Sequence, residues 1–101
     1  CAETGKAGFK KGEPATDKGD SWYMFDTALA AQNVTLVAHE LGLGTVHVGL
    51  IDAKKAEQVL GVPAGVRVVE LIPLGYPNEQ PRGPGRKELG EIAFKEKYGQ
   101  K

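Results

Sequence analysis

The side chains in this sequence that could bind a metal or act as nucleophiles are few and widely spaced. The two histidines, His39 and His47, are eight residues apart and fall on different predicted elements. The only cysteine is Cys1, so neither a thiolate metal cluster nor an intrachain disulfide can form. No order of Ser, His and Asp indicates a catalytic triad. Both histidines are therefore predicted to be surface or packing residues, and no catalytic or metal-binding residue is assigned.

Two glycine-rich motifs have the composition of phosphate-binding loops. Gly42-Leu43-Gly44 lacks the setting of a dinucleotide-binding fingerprint, because that fingerprint follows a strand and opens a helix. Here a long predicted helix precedes the glycines, so the motif is interpreted as a helix cap. Gly83-Pro84-Gly85-Arg86-Lys87 offers glycine amides and a guanidinium that can donate two hydrogen bonds to phosphate. The same composition is common in solvated loops, and the residues alone favour that interpretation.

The segment His47-Val48-Gly49-Leu50 places a glycine inside a predicted strand. Such a glycine often marks a place where a ligand approaches the backbone. The alternative is a sharp bend of the chain into Asp52. The residues leave both interpretations open.

Length and composition indicate a small globular domain. The chain has 101 residues, of which 41% are apolar and 26% charged, and these values exclude disordered and fibrous classes. Thirteen basic residues balance thirteen acidic ones, so no net charge directs the chain toward nucleic acid or membrane. No apolar run approaches the ~20 residues of a membrane span. The single cysteine favours a cytoplasmic location, and a first residue other than Met suggests a piece of a larger parent.

A helix is predicted from Trp22 to Leu41, and it is the longest element. The segment contains no Gly or Pro, Asp20-Ser21 precedes it with N-cap oxygens, and Gly42 follows with freedom to adopt the left-handed conformation. Its apolar residues recur at steps of three, four and seven, which predicts a broad buried stripe. The stripe consists of Trp22, Phe25, Leu29, Leu36 and Val37.

Shorter elements are predicted on both sides of this helix. Thr45–Ile51 is β-branched and largely apolar, which indicates a buried strand. Val66–Leu74 is predicted to be a second apolar strand, which Pro73 and the Gly75-Tyr76-Pro77 turn end. Asp52 is expected to cap a second helix, Ala53–Leu60, which Gly61 ends. The other segments are a strand end at Cys1-Ala2, a mobile loop at Glu3–Gly19, an extended loop at Pro77–Gly85 and an ambiguous strand or helix at Lys87–Tyr98.

Three segments in sequence order resemble the nitroreductase family. Residues 22–52 resemble its central helix, with Phe-Asp-Thr-Ala-Leu-Ala-Ala-Gln-Asn-Val-Thr-Leu at 25–36, followed by a Gly-Leu-Gly-Thr strand. Residues 68–77, Val-Val-Glu-Leu-Ile-Pro-Leu-Gly-Tyr-Pro, resemble its next strand and turn. Residues 86–92, Arg-Lys-Glu-Leu-Gly-Glu-Ile, resemble its C-terminal segment. The resemblance covers about the last four-fifths of the chain.

The resemblance implies an α+β fold in which a long central helix packs on a small β-sheet and is followed by an extended C-terminal arm. Residues 1–101 would form a single partial nitroreductase-like domain, because the N-terminal half of the family fold has no counterpart here. The resemblance also implies an FMN-containing homodimer. Such an oxidoreductase passes hydride from NADH or NADPH to a nitroaromatic, a quinone or a similar acceptor.

Three residues take their expected roles from the resemblance. By position, Gly49 and Leu50 would present backbone groups to the flavin N5 edge, and Arg86 would bind the flavin phosphate. Without the N-terminal phosphate motif, the chain alone is expected to bind FMN weakly or not at all and to be inactive. The alternatives are a non-catalytic dimerisation or ligand-binding module that retains part of the fold, and a purely structural domain if Gly49 is tightly packed.

Overall fold

The computed structural model describes residues 1–79 and 82–101, which fold into helices and small antiparallel sheets as the α+β prediction required. Strand β1 pairs with β5, β2 with β3, and β4 with β6. The strand end predicted at the N-terminus is β1. The elements are β1 (Ala2–Glu3), β2 (Phe9–Lys10), β3 (Glu13–Pro14), α1 (Trp22–Glu40), β4 (Gly44–Thr45), α2 (Ala53–Leu60), β5 (Val66–Arg67), β6 (Leu74–Gly75) and α3 (Leu89–Ile92).

Helix α1 confirms the longest predicted element and ends one residue earlier than predicted. Gly42 follows it in the predicted left-handed conformation, with φ +76°. The Leu43 N–H donates to the Ala38 carbonyl at 2.8 Å, and the Gly42 N–H donates to the His39 carbonyl at 3.0 Å. This pair of bonds is a Schellman motif, which satisfies carbonyls that the helix end would leave free. With 19 residues, α1 is about 28 Å long.

The prediction that Asp20-Ser21 caps α1 is wrong. Ser21 has helical backbone angles, and its side chain makes no capping hydrogen bond. Asp20 lies in a short 3₁₀ turn, Gly19–Ser21, that runs directly into α1. Its Oδ1 accepts a 3.0 Å hydrogen bond from the Gly5 N–H, so the carboxylate fastens the preceding loop and not the helix.

The segment Glu3–Gly19, predicted to lack regular structure, contains a β-hairpin. Strands β2 and β3 flank a two-residue turn of Lys11 and Gly12, with φ +53° and +83°. Positive φ at both central positions is typical of a type I′ turn, whose twist matches that of the strands it joins. The prediction missed the hairpin because Lys-Gly is a weaker turn signal than Asn-Gly and each strand has only two residues.

Helix α2 confirms the prediction at both ends. Oδ1 of Asp52 accepts from the N–H of the third helical residue at 3.1 Å, and Gly61 ends the helix with φ +63°. Glu57 then connects α2 to the end of β5. Its Oε1 accepts from the Val68 N–H at 3.1 Å and lies 3.3 Å from Nε of Arg67.

The two main predicted strands lie where expected, but neither is continuous. Thr45–Ile51 pairs through β4 and again at Val48, which bridges Leu71. Val66–Leu74 is divided among β5, that bridge and the start of β6. The prediction of a buried strand at 45–51 is wrong, since the residues exposed in this segment are Val46, His47, Gly49 and Leu50. Pro73 contributes to the interruption of the second strand because it has no N–H for the ladder.

The predicted buried stripe of α1 is also wrong. Phe25, Leu29, Leu36 and Val37 are each more than half exposed, whereas the buried apolar residues of the helix are its small ones, Ala31 and Ala38. Strands β1 and β4 contact α1 but leave the stripe open. The accessible surface is 8589 Å², where a compact monomer of this length exposes about 5500 Å². These stripe residues are therefore apolar but exposed, and what failed was the assumption that this chain covers them.

The C-terminal segment combines an irregular stretch with one turn of helix. The described residues of the predicted loop Pro77–Gly85 have neither helix nor strand, as predicted, and residues 80 and 81 lie outside the described residues. Helix α3 occupies four residues of the ambiguous segment Lys87–Tyr98. Beyond it, the rings of Phe94 and Tyr98 pack with centroids 4.8 Å apart, and the Lys101 ammonium lies 4.8 Å from the Phe94 centroid.

Candidate functional site

An exposed turn at Gly49–Ile51 opens backbone groups to solvent. The Ile51 N–H donates to the Gly49 carbonyl at 3.0 Å, and this closes a γ-turn with Leu50 at its centre. Leu50 is fully exposed, and a Cβ atom built on Gly49 would meet no atom within 4 Å. Gly49 is thus not packed against side chains. Tight packing of Gly49 was the condition that would have favoured a purely structural domain, and it is not met.

The placement of this turn follows from a single antiparallel register. Strands β4 and β6 pair in one antiparallel register, and the bridge between Val48 and Leu71 keeps the same register. Val48 and Leu71 exchange two hydrogen bonds of 3.0 Å in an isolated bridge, and the same register extended by one residue would set Gly49 against Glu70 as a non-hydrogen-bonded pair. In such a pair the backbone N–H groups point away from the partner strand.

The turn leaves two neighbouring N–H groups available as donors. The backbone N–H groups of Gly49 and Leu50 make no hydrogen bond to any residue that the structure describes. Both lie where the chain is exposed, so an electron-rich acceptor atom of a ligand can reach them without displacing a side chain.

Arg86 lies on a separate exposed segment. Its Nη1 donates to the Pro84 carbonyl at 2.8 Å, and within residues 1–79 and 82–101 it forms no ion pair. A guanidinium has five N–H donors, so the others are available to a phosphate. The structure brings Gly49 and Leu50 together in one turn but records no hydrogen bond between that turn and Arg86.

His47 has two polar partners that the sequence analysis did not assign. Its Nδ1 lies 2.8 Å from Oε2 of Glu70, and its Nε2 lies 3.2 Å from Oγ1 of Thr35 on α1. An ionised carboxylate only accepts hydrogen bonds, so the contact assigns the N–H to Nδ1, which donates a hydrogen bond to Glu70. The histidine is exposed as predicted, yet its ring is fixed from two sides. The strand register would have revealed Glu70, because it places that residue diagonally across from His47.

An open apolar groove runs along α1. It has a volume of about 380 Å³, and its lining includes Val34, Val37 and Leu41 from the helix and Leu74 from β6. The groove shares Val37 with the predicted stripe, and we call the two together the exposed apolar face of α1.

The described residues contain neither a cluster of metal ligands nor a membrane-spanning helix. No group of three or more His, Cys, Asp and Glu side chains in residues 1–79 and 82–101 is arranged to hold a metal ion. In the same part of the chain, no helix has the length and apolar character needed to cross a membrane.

Comparison with known proteins identifies the fold. Residues 9–76 match the model of the nitroreductase family. The crystal structure of a nitroreductase family protein from Streptococcus pneumoniae TIGR4 superposes with a TM-score of 0.73 at 27% identity, over 79% of this chain and 40% of that one. The family match includes Gly49 and Leu50 and ends before Arg86. It begins at Phe9, so it also takes in the hairpin that the sequence analysis missed.

Two curated relatives agree with this match. "Putative NADH dehydrogenase/NAD(P)H nitroreductase" of Methanothermobacter thermautotrophicus is 33% identical over 73 residues, which are 68% of this chain and 38% of the relative. "NADPH-flavin oxidoreductase" of Vibrio harveyi is 29% identical over 75 residues, which are 72% of this chain and 31% of the relative. The chain therefore spans well under half the length of the relatives it matches.

Proposed function

The chain belongs to the nitroreductase family, and on that premise we propose that it supplies one part of the active site of an FMN-dependent oxidoreductase. FMN, when bound, provides two-electron redox chemistry between NADH or NADPH and an acceptor such as a nitroaromatic or a quinone. The residues of this chain bind and orient that group. Residues 1–101 are proposed to form a single partial domain of the family fold.

The observation that carries this proposal is the open turn at Gly49. Two adjacent N–H donors, those of Gly49 and Leu50, have no acceptor among the described residues, and the space above Gly49 is empty of protein atoms. A flat ring fits against a backbone that has no Cβ in the way. Fixed donors at that edge stabilise negative charge that develops on an electron-rich ring. These features fit the N5 edge of a flavin.

Arg86 is proposed to bind the flavin phosphate. Its guanidinium is exposed and has no carboxylate partner in the described part of the chain. Arginine is suited to phosphate because its planar group can donate two parallel hydrogen bonds. One arginine on an exposed segment provides little shielding from water, so FMN affinity of this chain alone is proposed to be weak.

The coenzyme and the partner are proposed from different observations. The relatives named for NAD(P)H and NADPH support a nicotinamide coenzyme as hydride donor. The chain exposes about 3000 Å² more surface than a compact monomer of its length, and the apolar face of α1 is among the exposed parts. We propose that a second copy covers this face in a cytoplasmic homodimer.

A second candidate function rests on the same exposed face. A non-catalytic dimerisation or ligand-binding module would need the apolar surface of α1 but not the free donors at Gly49 or the guanidinium of Arg86. The two candidates therefore differ in what substitutions at Gly49 and Arg86 do to flavin binding.

The test is a titration of the purified chain with FMN, followed by quenching of flavin fluorescence. Gly49→Ala adds a methyl group where the protein itself has empty space, so it leaves the fold intact and crowds only a bound ring. Gly90→Ala is the matched control, since Gly90 also has open space and no positive φ. We expect weak saturable binding that Gly49→Ala and Arg86→Ala each reduce and Gly90→Ala does not. Equal quenching by all four proteins would remove the flavin site and favour the module.

A further inference from the structure

We propose that His47 is a positioning residue that holds the Glu70 carboxylate away from the open face at Gly49. This inference rests on the proposed flavin site, because its consequence is that a negative charge stays clear of the flavin edge. The relevant arrangement is the contact of 2.8 Å between Nδ1 of His47 and Oε2 of Glu70, next to an unfilled space over Gly49.

The register brings these three residues to one face of the ladder. Val48 and Leu71 form the bridge, so the register extended by one residue sets Gly49 opposite Glu70 and His47 diagonally across from it. Side chains alternate along an extended strand, which places His47, Gly49 and Glu70 on the same side. The Cα atoms of a non-hydrogen-bonded pair are about 4.5 Å apart. This register therefore brings the backbone of Glu70 close to the open space above Gly49.

The Glu70 side chain nevertheless does not occupy that space. A Cβ atom on Gly49 would have no neighbour within 4 Å, because the carboxylate is directed along the ladder to the imidazole. The Glu70 side chain is 17% exposed, compared with 45% for His47, so the carboxylate is the more enclosed of the two groups. The hydrogen bond from His47 gives it a partner on the side away from Gly49.

The imidazole is itself anchored to the long helix. Nε2 of His47 lies 3.2 Å from the Thr35 hydroxyl, which also lies 3.1 Å from the Ala31 carbonyl one turn earlier in α1. A ring held at both nitrogens has a fixed orientation. Thr35, His47 and Glu70 thus form a chain of contacts from the rigid helix to the strand opposite Gly49.

Loss of the imidazole would release the carboxylate toward the open space. Glu70 would lose its only side-chain partner among the described residues, and its carboxylate would be free to turn toward the unfilled space over Gly49. A carboxylate there would occupy space that the flavin edge needs. It would also repel negative charge on the ring, and one such charge within several ångströms changes a binding constant by about tenfold.

The test is a set of substitutions with two measurements. The variants are His47→Ala, Glu70→Ala, the double variant and His47→Gln, whose amide can still donate to Glu70. His39→Ala is the control, because His39 is the other histidine and is exposed at the end of α1. The first measurement is FMN affinity by fluorescence quenching. The second is the NMR chemical shift of the Gly49 and Leu50 amides without FMN.

We expect His47→Ala to weaken FMN binding by about tenfold and to shift both amide resonances. The double variant is expected to restore both values to within about twofold of the unsubstituted chain, since no carboxylate is left to move. His47→Gln and His39→Ala are expected to change little. A double variant as impaired as His47→Ala would overturn the proposal, because that result means the histidine supports the strand by other means.

Failure of this inference differs from failure of the flavin site itself. If the unsubstituted chain does not bind FMN, the proposed function fails, while the amide shifts still report whether His47 restrains Glu70. If FMN binds and His47→Ala binds it equally well with unchanged amide shifts, the positioning role alone is overturned.

Discussion

A Cβ atom built on Gly8 would lie 2.1 Å from Cδ1 of Trp22, so the loop before α1 is folded directly onto the indole edge. The contact is supported on both sides. Nε1 of Trp22 donates to Oγ1 of Thr16 at 2.7 Å, and the Ala15 N–H donates to the Gly8 carbonyl at 2.8 Å. The hairpin β2–β3 is thereby attached to the start of α1.

Gly8→Ala is expected to lower the free energy of unfolding by about 2 kcal/mol or more, because it combines a positive φ with overpacking against a ring. Trp22 is the only tryptophan, so its emission reports on this contact directly. Gly12→Ala is the matched control, since Gly12 has φ +83° but open space around it. It should cost about 1 kcal/mol and leave the emission spectrum unchanged. Identical losses in thermal unfolding would show that the contact with Trp22 adds nothing.

Asp52→Ala is expected to destabilise the chain by about 1 kcal/mol, because it removes the side-chain cap of α2. Oδ1 of Asp52 accepts from the N–H of Lys55 at 3.1 Å. Asp52→Asn keeps an acceptor oxygen and should retain most of the stability. The comparison is by urea unfolding, with Asp17→Ala as control because Asp17 forms only an exposed pair with Lys18. A cost at Asp17 equal to that at Asp52 would refute a specific capping role.

Local signals were sufficient to predict the presence and the C-terminal ends of α1 and α2. Gly42 follows the C-terminal end of α1 and Gly61 that of α2, and the cap residue Asp52 is next to the helix it begins. No distant contact was therefore needed. Burial could not be predicted in the same way. Periodicity shows that Leu29 and Val37 share an apolar face, but whether anything covers this face depends on elements elsewhere.

The same difference between local and distant signals applies to the candidate site. Gly49 stood out because a glycine inside a strand is locally unusual. The partners of His47 did not, since Thr35 and Glu70 are 12 and 23 residues away and no local pattern links them. Only the register between β4 and β6 brings Glu70 within reach, and a register is a property of two strands together.

Glu57→Ala is expected to cost more than Arg67→Ala, although the two side chains form one ion pair. Oε1 of Glu57 accepts from the N–H of Val68, which is a buried residue. Removal of that acceptor leaves a buried donor unsatisfied, at about 1–3 kcal/mol. Arg67 is exposed, and an exposed ion pair contributes about 0.2–1 kcal/mol. Glu57→Gln keeps an acceptor and should resemble Arg67→Ala in chemical denaturation. An Arg67→Ala loss as large as that of Glu57→Ala would mean that the ion pair and not the backbone bond stabilises this junction.

Val37→Asp is expected to prevent self-association while leaving the fold of the single chain intact. Val37 is 54% exposed and lines the apolar groove of α1, so a charge there is tolerated in water but would be desolvated in an interface. A standard interface buries about 800 Å² from each partner, and the excess exposed surface of this chain is larger. Sedimentation velocity should therefore show a dimer for the unsubstituted chain and a monomer for Val37→Asp. Val59→Asp serves as control, because Val59 is 79% exposed on α2 and outside that groove. Dimers of equal strength for all three proteins would place the interface elsewhere, since a carboxylate cannot be buried without a partner at the centre of an apolar contact.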